Sequence, residues 1–264
     1  MHRVIIYALL LIIVSTGCED IYDFPQKSGY RKNPVIEAII TNQLGQQKIR
    51  VSYAASLNDS VLSIPVPDAK VKIIDEAGDT VNFPYAENGW YTRDDFKANP
   101  TLNYTLFVQI DTTIYRATSK MVMMHGLDSV SYSYHKKVNA TDFAYFPKIY
   151  AGPTDPETQR YYQIQIVKNH QTAVTDRLLL TDVSTYSLNG IELGLVYAKY
   201  DTLDISLYSL TKEMFDYHYY VLDKLLNNGG FDLNFKNNPP VQFVPKALGY
   251  FQLSEISSKS IVIH

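Results

Sequence analysis

The sequence predicts a mostly β protein. A β-sandwich is expected over residues 34–122, followed over residues 128–264 by a second β-rich domain with one helix. Three observations carry this. Short runs alternate apolar and polar side chains, the period-2 signature of a half-buried strand. Turn residues punctuate those runs at the spacing usual for a sandwich. Helical spacing shows in a single long run. Of the 264 residues, 46% are hydrophobic and only 19% charged, so the chain can bury a core and does not read as disordered.

The strands follow in order. Val35, Ile36, Ile39 and Ile40 read as the first, and Lys48 to Ala55 alternates as the second. Ala69 to Ile74 puts Ala69, Val71 and Ile73 on one face. Asp75 to Asp79 is a turn in which Gly78 supplies positive φ, and Thr80 to Phe83 completes a hairpin. Asn88-Gly89 is a strong turn dipeptide ahead of Trp90-Tyr91-Thr92. Leu102 to Ile110 and Thr113 to Met121 are two more strands, turned at Asp111-Thr112.

Residues 122–128 connect to the second domain, which opens with Ser129 to Tyr134. A polar loop covers 151–159, and Arg160 to Val167 alternates strongly. Further strand-like runs are Asp176 to Leu180, Ile191 to Ala198, Thr202 to Leu207, Leu248 to Leu253 and Ser260 to Ile263. The helix is expected at about 211–228, capped by Thr211, with Glu213 in its first turn and Gly229-Gly230 at its end. Met214, Phe215, Val221, Leu222, Leu225 and Leu226 form its apolar stripe, expected to pack on a sheet. Asn237 to Pro240 is a loop.

The start of the chain reads as an address. Met1-His2-Arg3 is a short positive segment, and Val4 to Val14 is an apolar run too short to span a membrane. Ser15-Thr16-Gly17 then lead into Cys18, the sole cysteine. This resembles the lipobox of bacterial lipoproteins, although Ser15 departs from the usual Leu. Residues 1–17 are thus expected to be a signal peptide, Cys18 the lipidated residue, and residues 18–33 an acidic tether opening with Glu19-Asp20. The competing reading is a secreted protein with a leftover thiol. Several acyl chains, at about 0.8 kcal/mol per buried methylene, would hold the protein to a membrane firmly.

The rest is mostly exclusion. With 24 basic and 27 acidic residues the net charge is −3, so no basic excess exists to neutralise a nucleic-acid backbone. One cysteine excludes an internal disulfide and a Cys-based zinc site. His125, His135, His170, His218 and His264 lie in no metal-binding spacing, and His218 reads as a surface or packed side chain. The Asp75 to Asp79 stretch lacks the alternating ligands of a calcium loop. No nucleophile elbow, phosphate loop or dinucleotide fingerprint occurs. No catalytic residue, metal or cofactor is expected, and the protein reads as non-enzymatic.

Tyrosine is the unusual resource, at 22 residues, clustered at Tyr132/Tyr134, Tyr145/Tyr150, Tyr161/Tyr162, Tyr197/Tyr200 and Tyr217/Tyr219/Tyr220. Aromatic faces stack on sugars and contact peptides, while Tyr is also a good half-buried strand residue. Adjacent Tyr161 and Tyr162 must face opposite sides of a strand. Asp-Ser or Asp-Thr triplets at Asp59, Asp79, Asp111, Asp128 and Asp201 resemble the O-glycosylation motif of exported Bacteroidetes proteins. The acceptors would be Ser60, Thr80, Thr112, Ser129 and Thr202. Turn chemistry is the competing reading.

Taken in order, several segments resemble the Bacteroidetes lipoproteins grouped as domain of unknown function 4249. They are Cys18-Glu19-Asp20, Pro34 to Thr41, Val66 to Ile73 with Gly78, Gly89-Trp90-Tyr91, Tyr104-Thr105-Leu106, Ala247 to Phe251 and Ser260 to Ile263. The resemblance implies an immunoglobulin-like or carboxypeptidase-regulatory-like first domain and a second, mostly β domain. It implies an outer-membrane lipoprotein, with the acidic residues after Cys18 similar to a surface-export signal. It also implies SusC-like TonB-dependent receptors and SusD-like lipoproteins as neighbours, and glycan or peptide as ligand. An accessory of such an uptake system is the expected function. A structural or adhesive cell-envelope lipoprotein is the alternative.

Overall fold

The computed structural model describes residues 33–54, 63–136, 143–152, 161–171, 179–183, 188–226 and 241–264. The signal peptide, Cys18, the tether, Ser60, the Gly229-Gly230 helix stop and the Asn237 to Pro240 loop lie outside these residues. Among the described residues no helix is long and apolar enough to cross a membrane.

The chain is mostly β, with sixteen strands and one helix described. The first eight strands are β1 (Pro34–Thr41), β2 (Gly45–Ala54), β3 (Ser63–Pro65), β4 (Lys70–Asp75), β5 (Thr80–Phe83), β6 (Trp90–Phe96), β7 (Asn103–Ile110) and β8 (Thr113–Lys120). The next six are β9 (Leu127–Lys136), β10 (Phe143–Ala151), β11 (Tyr161–Lys168), β12 (Leu179–Asp182), β13 (Ile191–Glu192) and β14 (Thr202–Leu210). Helix α1 (Lys212–Leu226), β15 (Leu248–Ser254) and β16 (Ile256–Val262) complete the order.

Two sandwiches result. In the first, one sheet runs β15-β1-β2-β3, with β6 also on β2, and the other runs β5-β4-β7-β8. Alternation drives both: β1 reads buried and half-buried in strict turn, and β7 does the same after its first residue. Ile36, Ile40, Ile49 and Val51 from one sheet meet Val71, Ile73, Leu106 and Val108 from the other in a single core. In the second, the sheet β13-β10-β9 faces β12-β11-β14-β16 across Ile149, Tyr162, Ile164, Leu203, Ile205 and Leu207.

Turn chemistry matches the sequence at two points. Asn88 and Gly89 both take positive φ, 49° and 82°, the requirement of a type I′ hairpin turn. Asp75 Oδ1 accepts the Ala77 and Asp79 N–H groups at 3.0 and 2.9 Å, so this carboxylate closes the turn.

Four differences stand out. β15 leaves the second domain and pairs in parallel with β1, Gly249 opposite Ile36. Phe243, Ala247, Phe251 and Leu253 thereby fill the first core, so the stretch 128–264 supplies part of both sandwiches. Second, β10 is a nine-residue strand that the sequence reading leaves unassigned. Third, the strand expected over Ile191 to Ala198 pairs only at Ile191 and Glu192. The ladder stops where β10 presents Pro147, which has no N–H to give. Leu193 N–H still donates to Pro147 O at 2.8 Å, and pairing resumes in one bridge, Tyr145 to Tyr197. Fourth, of the strand expected over Asp176 to Leu180, residues 176–178 lie outside the described residues, and β12 runs on past Leu180 to Asp182.

Helix α1 is capped as expected: Thr211 Oγ1 accepts the Met214 N–H at 3.3 Å. Among its described side chains Met214 and His218, one turn apart, are buried, whereas Val221 and Leu222 are only half-buried.

Candidate functional site

An open basin of about 890 Å³ lies on the outer face of the β5-β4-β7-β8 sheet. The strand period builds it. Val71 and Ile73 of β4 point into the core, so Lys70 and Lys72 point out. Leu106 and Val108 of β7 do the same for Phe107 and Gln109, and Ala117 of β8 does so for Arg116.

Register then gathers residues distant in sequence into two rows. The first runs across four strands as Asn82, Lys72, Phe107 and Arg116. The second runs as Lys70, Gln109 and Ile114. Tyr85 and Arg93 close one side. Tyr85 is 41% exposed and rests edge-on against Tyr91, with centroids 5.4 Å apart. Tyr91 is itself fixed, donating to Val66 O at 2.6 Å and accepting the Ala69 N–H at 2.9 Å. On the far edge the Arg116 N–H and C=O both bond Val244, at 3.0 and 2.9 Å.

The electrostatics are one-sided. Lys70, Lys72, Arg93 and Arg116 line the basin, and among the described residues no acidic one lines it. Arg93 is paired with Asp95 outside it. Lys70, Lys72 and Arg116 have no carboxylate partner among the described residues. Lys72 Nζ stands 5.7 Å from the Phe107 ring centroid, near the limit of a cation–π contact. Gln109 Nε2 donates to Asp111 O at 3.0 Å, which leaves its carbonyl oxygen as an acceptor. The basin can thus offer an aromatic face, cations and amides to a ligand.

The residues singled out in the sequence lie elsewhere. Thr80, Thr112 and Ser129 are exposed at strand starts or turns. Thr202 is half-buried at the head of β14, beside a buried Asp201. Burial would raise the Asp201 pKa. The Ala198 N–H at 2.9 Å, Lys168 Nζ at 3.0 Å and Asn169 Nδ2 at 3.3 Å outweigh it and hold the carboxyl below its usual range. That Asp therefore closes a turn.

The tyrosine clusters are largely packing. Tyr162 is fully buried in the second core, and burial lifts its pKa to about 12. Tyr161 sits on the opposite face against Phe215 of α1, with centroids 4.7 Å apart. Tyr132 packs edge-on against Tyr145, and Tyr217 lies tilted against Tyr250. His218 is packed, its Nε2 2.7 Å from Gln252 Oε1. Sequence reasoning missed the basin. Its signal was the run of basic residues at alternate positions of Ala69 to Ile74, opposite the apolar face that was read.

The family described as "Domain of unknown function (DUF4249)" matches residues 20–260. No curated protein matches the chain. Among solved structures, a two-domain fibronectin type III segment of chicken tenascin aligns at 12% identity and a TM-score of 0.21. It covers 67% of this chain and 90% of that one.

Proposed function

Since the chain belongs to the DUF4249 family, we propose that it is a non-enzymatic outer-membrane lipoprotein whose work is binding. It serves as an accessory of a SusC/SusD-like TonB-dependent system that imports glycan or peptide. The observation that carries this reading is the basin. A 890 Å³ hollow is of ligand size, and it sits on a rigid sheet face backed by a full core. Its aromatic, cationic and amide lining suits capture of a polar nutrient. Lipid on Cys18 anchors the protein, and the sixteen residues from Cys18 through Asn33 can reach at most about 55 Å. That length lets the sandwiches stand off the membrane and meet a transporter.

The test is affinity purification of the tagged lipoprotein from native outer membranes in mild detergent, followed by mass spectrometry. A TonB-dependent receptor and a SusD-like partner are expected at equal stoichiometry. Recovery of the protein alone, with lipid present on Cys18, would overturn the transporter role in favour of a free-standing envelope protein. Labelling with a clickable fatty acid reads the anchor independently, and Cys18→Ala should abolish the label.

A further inference from the structure

We propose that the basin binds an acidic oligosaccharide. One sugar ring lies on Phe107, and carboxylate or sulfate groups are held by Lys70, Lys72 and Arg116. This rests on the binding role proposed above and names its site and ligand class.

Charge is the first argument. The whole chain carries −3, yet among the described residues this hollow is lined by four cations and no acid. Three of the four lack a carboxylate partner among the described residues. A potential of one sign in a concave site concentrates ligands of the other.

Spacing is the second. Lys72, Phe107 and Arg116 stand directly opposite one another on β4, β7 and β8. With strands about 4.8 Å apart, the two cations flank the ring at roughly 10 Å from each other. A ring stacked on Phe107 can turn an anionic substituent to either side. Lys72 Nζ now lies over that ring, 5.7 Å from its centroid, and its flexible stem lets it swing off the face to meet the anion. Gln109 Oε1 and the exposed Asn82 amide lie in the same two rows for sugar hydroxyls.

The position on a sheet face is the third argument, and it favours sugar over peptide. Sheets capture peptides by adding a strand at an open edge through main-chain bonds. In the basin the β4 and β7 backbones are spent in the ladder on both sides, and Val244 takes the β8 edge at Arg116. What remains is side-chain chemistry, matched to an apolar ring face with hydroxyls and fixed anions.

The full-length lipoprotein in mild detergent is titrated calorimetrically with two probes, an oligogalacturonate tetrasaccharide and a chondroitin sulfate tetrasaccharide. Methyl-esterified oligogalacturonate, hexaglutamate and a thymidine hexanucleotide serve as comparisons. At least one acidic glycan should bind saturably and more weakly as salt rises. The Lys72→Gln/Arg116→Gln double variant, changed only on the outer face, should bind it about tenfold more weakly or worse. Phe107→Leu should weaken it too, with an unchanged melting temperature. Failure of both glycans to bind, unaltered binding by the double variant, or equal affinity for the ester, the peptide or the oligonucleotide would each overturn the proposal. The two proposals fail separately. Protein recovered without a receptor but binding acidic glycan through these residues keeps the basin and removes the transporter role. A receptor complex whose protein ignores both glycans does the reverse.

Discussion

His218 shows how one residue can tie a junction together. Its Nε2–H donates to Gln252 Oε1 on β15, and Gln252 Nε2 donates to Ser254 Oγ at 2.7 Å. Ser254 Oγ in turn donates to Ser209 O of β14 at 2.7 Å. A helix, a strand of the first sandwich and a strand of the second thus share one buried chain of hydrogen bonds. Burial lowers the His218 pKa below the usual histidine range, with the Gln252 bond opposing in part. A depressed folded-state pKa means that stability is complete above the unfolded value, near 6.5, and falls as pH drops through the folded value. The melting temperature should therefore drop between pH 7.5 and pH 5, and drop less in His218→Gln. Glu37 acts in the opposite sense. Its pKa is raised by burial, against the pull of Arg50, so its contribution is lost as pH rises. Both proteins carry Glu37, so the difference between their melting curves isolates His218. Parallel curves would remove the histidine from the account.

At the scale of elements, β15 depends on one glycine. Gly249 takes φ 98°, and a Cβ there would stand 1.9 Å from the Ile36 carbonyl oxygen. The parallel pairing of β15 with β1 can exist only if that carbonyl has room. Gly249→Ala should cost about 3 kcal/mol or more in urea unfolding, combining a clash with a disfavoured backbone. The Ala247 to Phe251 segment was thus visible in the sequence as a motif, while its physical reason was not. Strands β1, β4, β5, β7 and β8 were legible almost to the residue, because one face of each meets a core and the other meets water. β10 was not, because Pro147 reads as a breaker in a central strand. The structure accommodates it where the β13 ladder has already ended. The basin was illegible for a different reason. Lys72, Phe107 and Arg116 become neighbours only through register, and register comes from which face is buried, not from spacing along the chain.

For the whole molecule, the first sandwich is not made from one stretch of chain. Phe243 and Phe251 are almost wholly buried in its core, and Val244 covers the edge of β8. The junction is bonded as well: Glu255 Oε2 accepts the Met124 N–H at 2.7 Å, and Asn42 Oδ1 accepts the Ile256 N–H at 3.1 Å. A fragment of residues 33–126 should therefore fail to unfold cooperatively by circular dichroism. The same fragment carrying residues 241–254 on a Gly/Ser linker should regain a sharp transition. Cooperative unfolding of the shorter fragment would show that its eight strands suffice.

The parallel strand also sets a timetable. Among the described strands β1 is the first to leave the ribosome and its neighbour β15 the fifteenth, with Val35 waiting for Leu248. Closing so long a loop is entropically slow, and pairing between such distant strands lengthens the search. Until β15 arrives, the open side of β1 is a template for any other strand it meets. A nascent chain therefore stays unlocked until Leu248–Ser254 has emerged, which exacts protection from chaperones on the way.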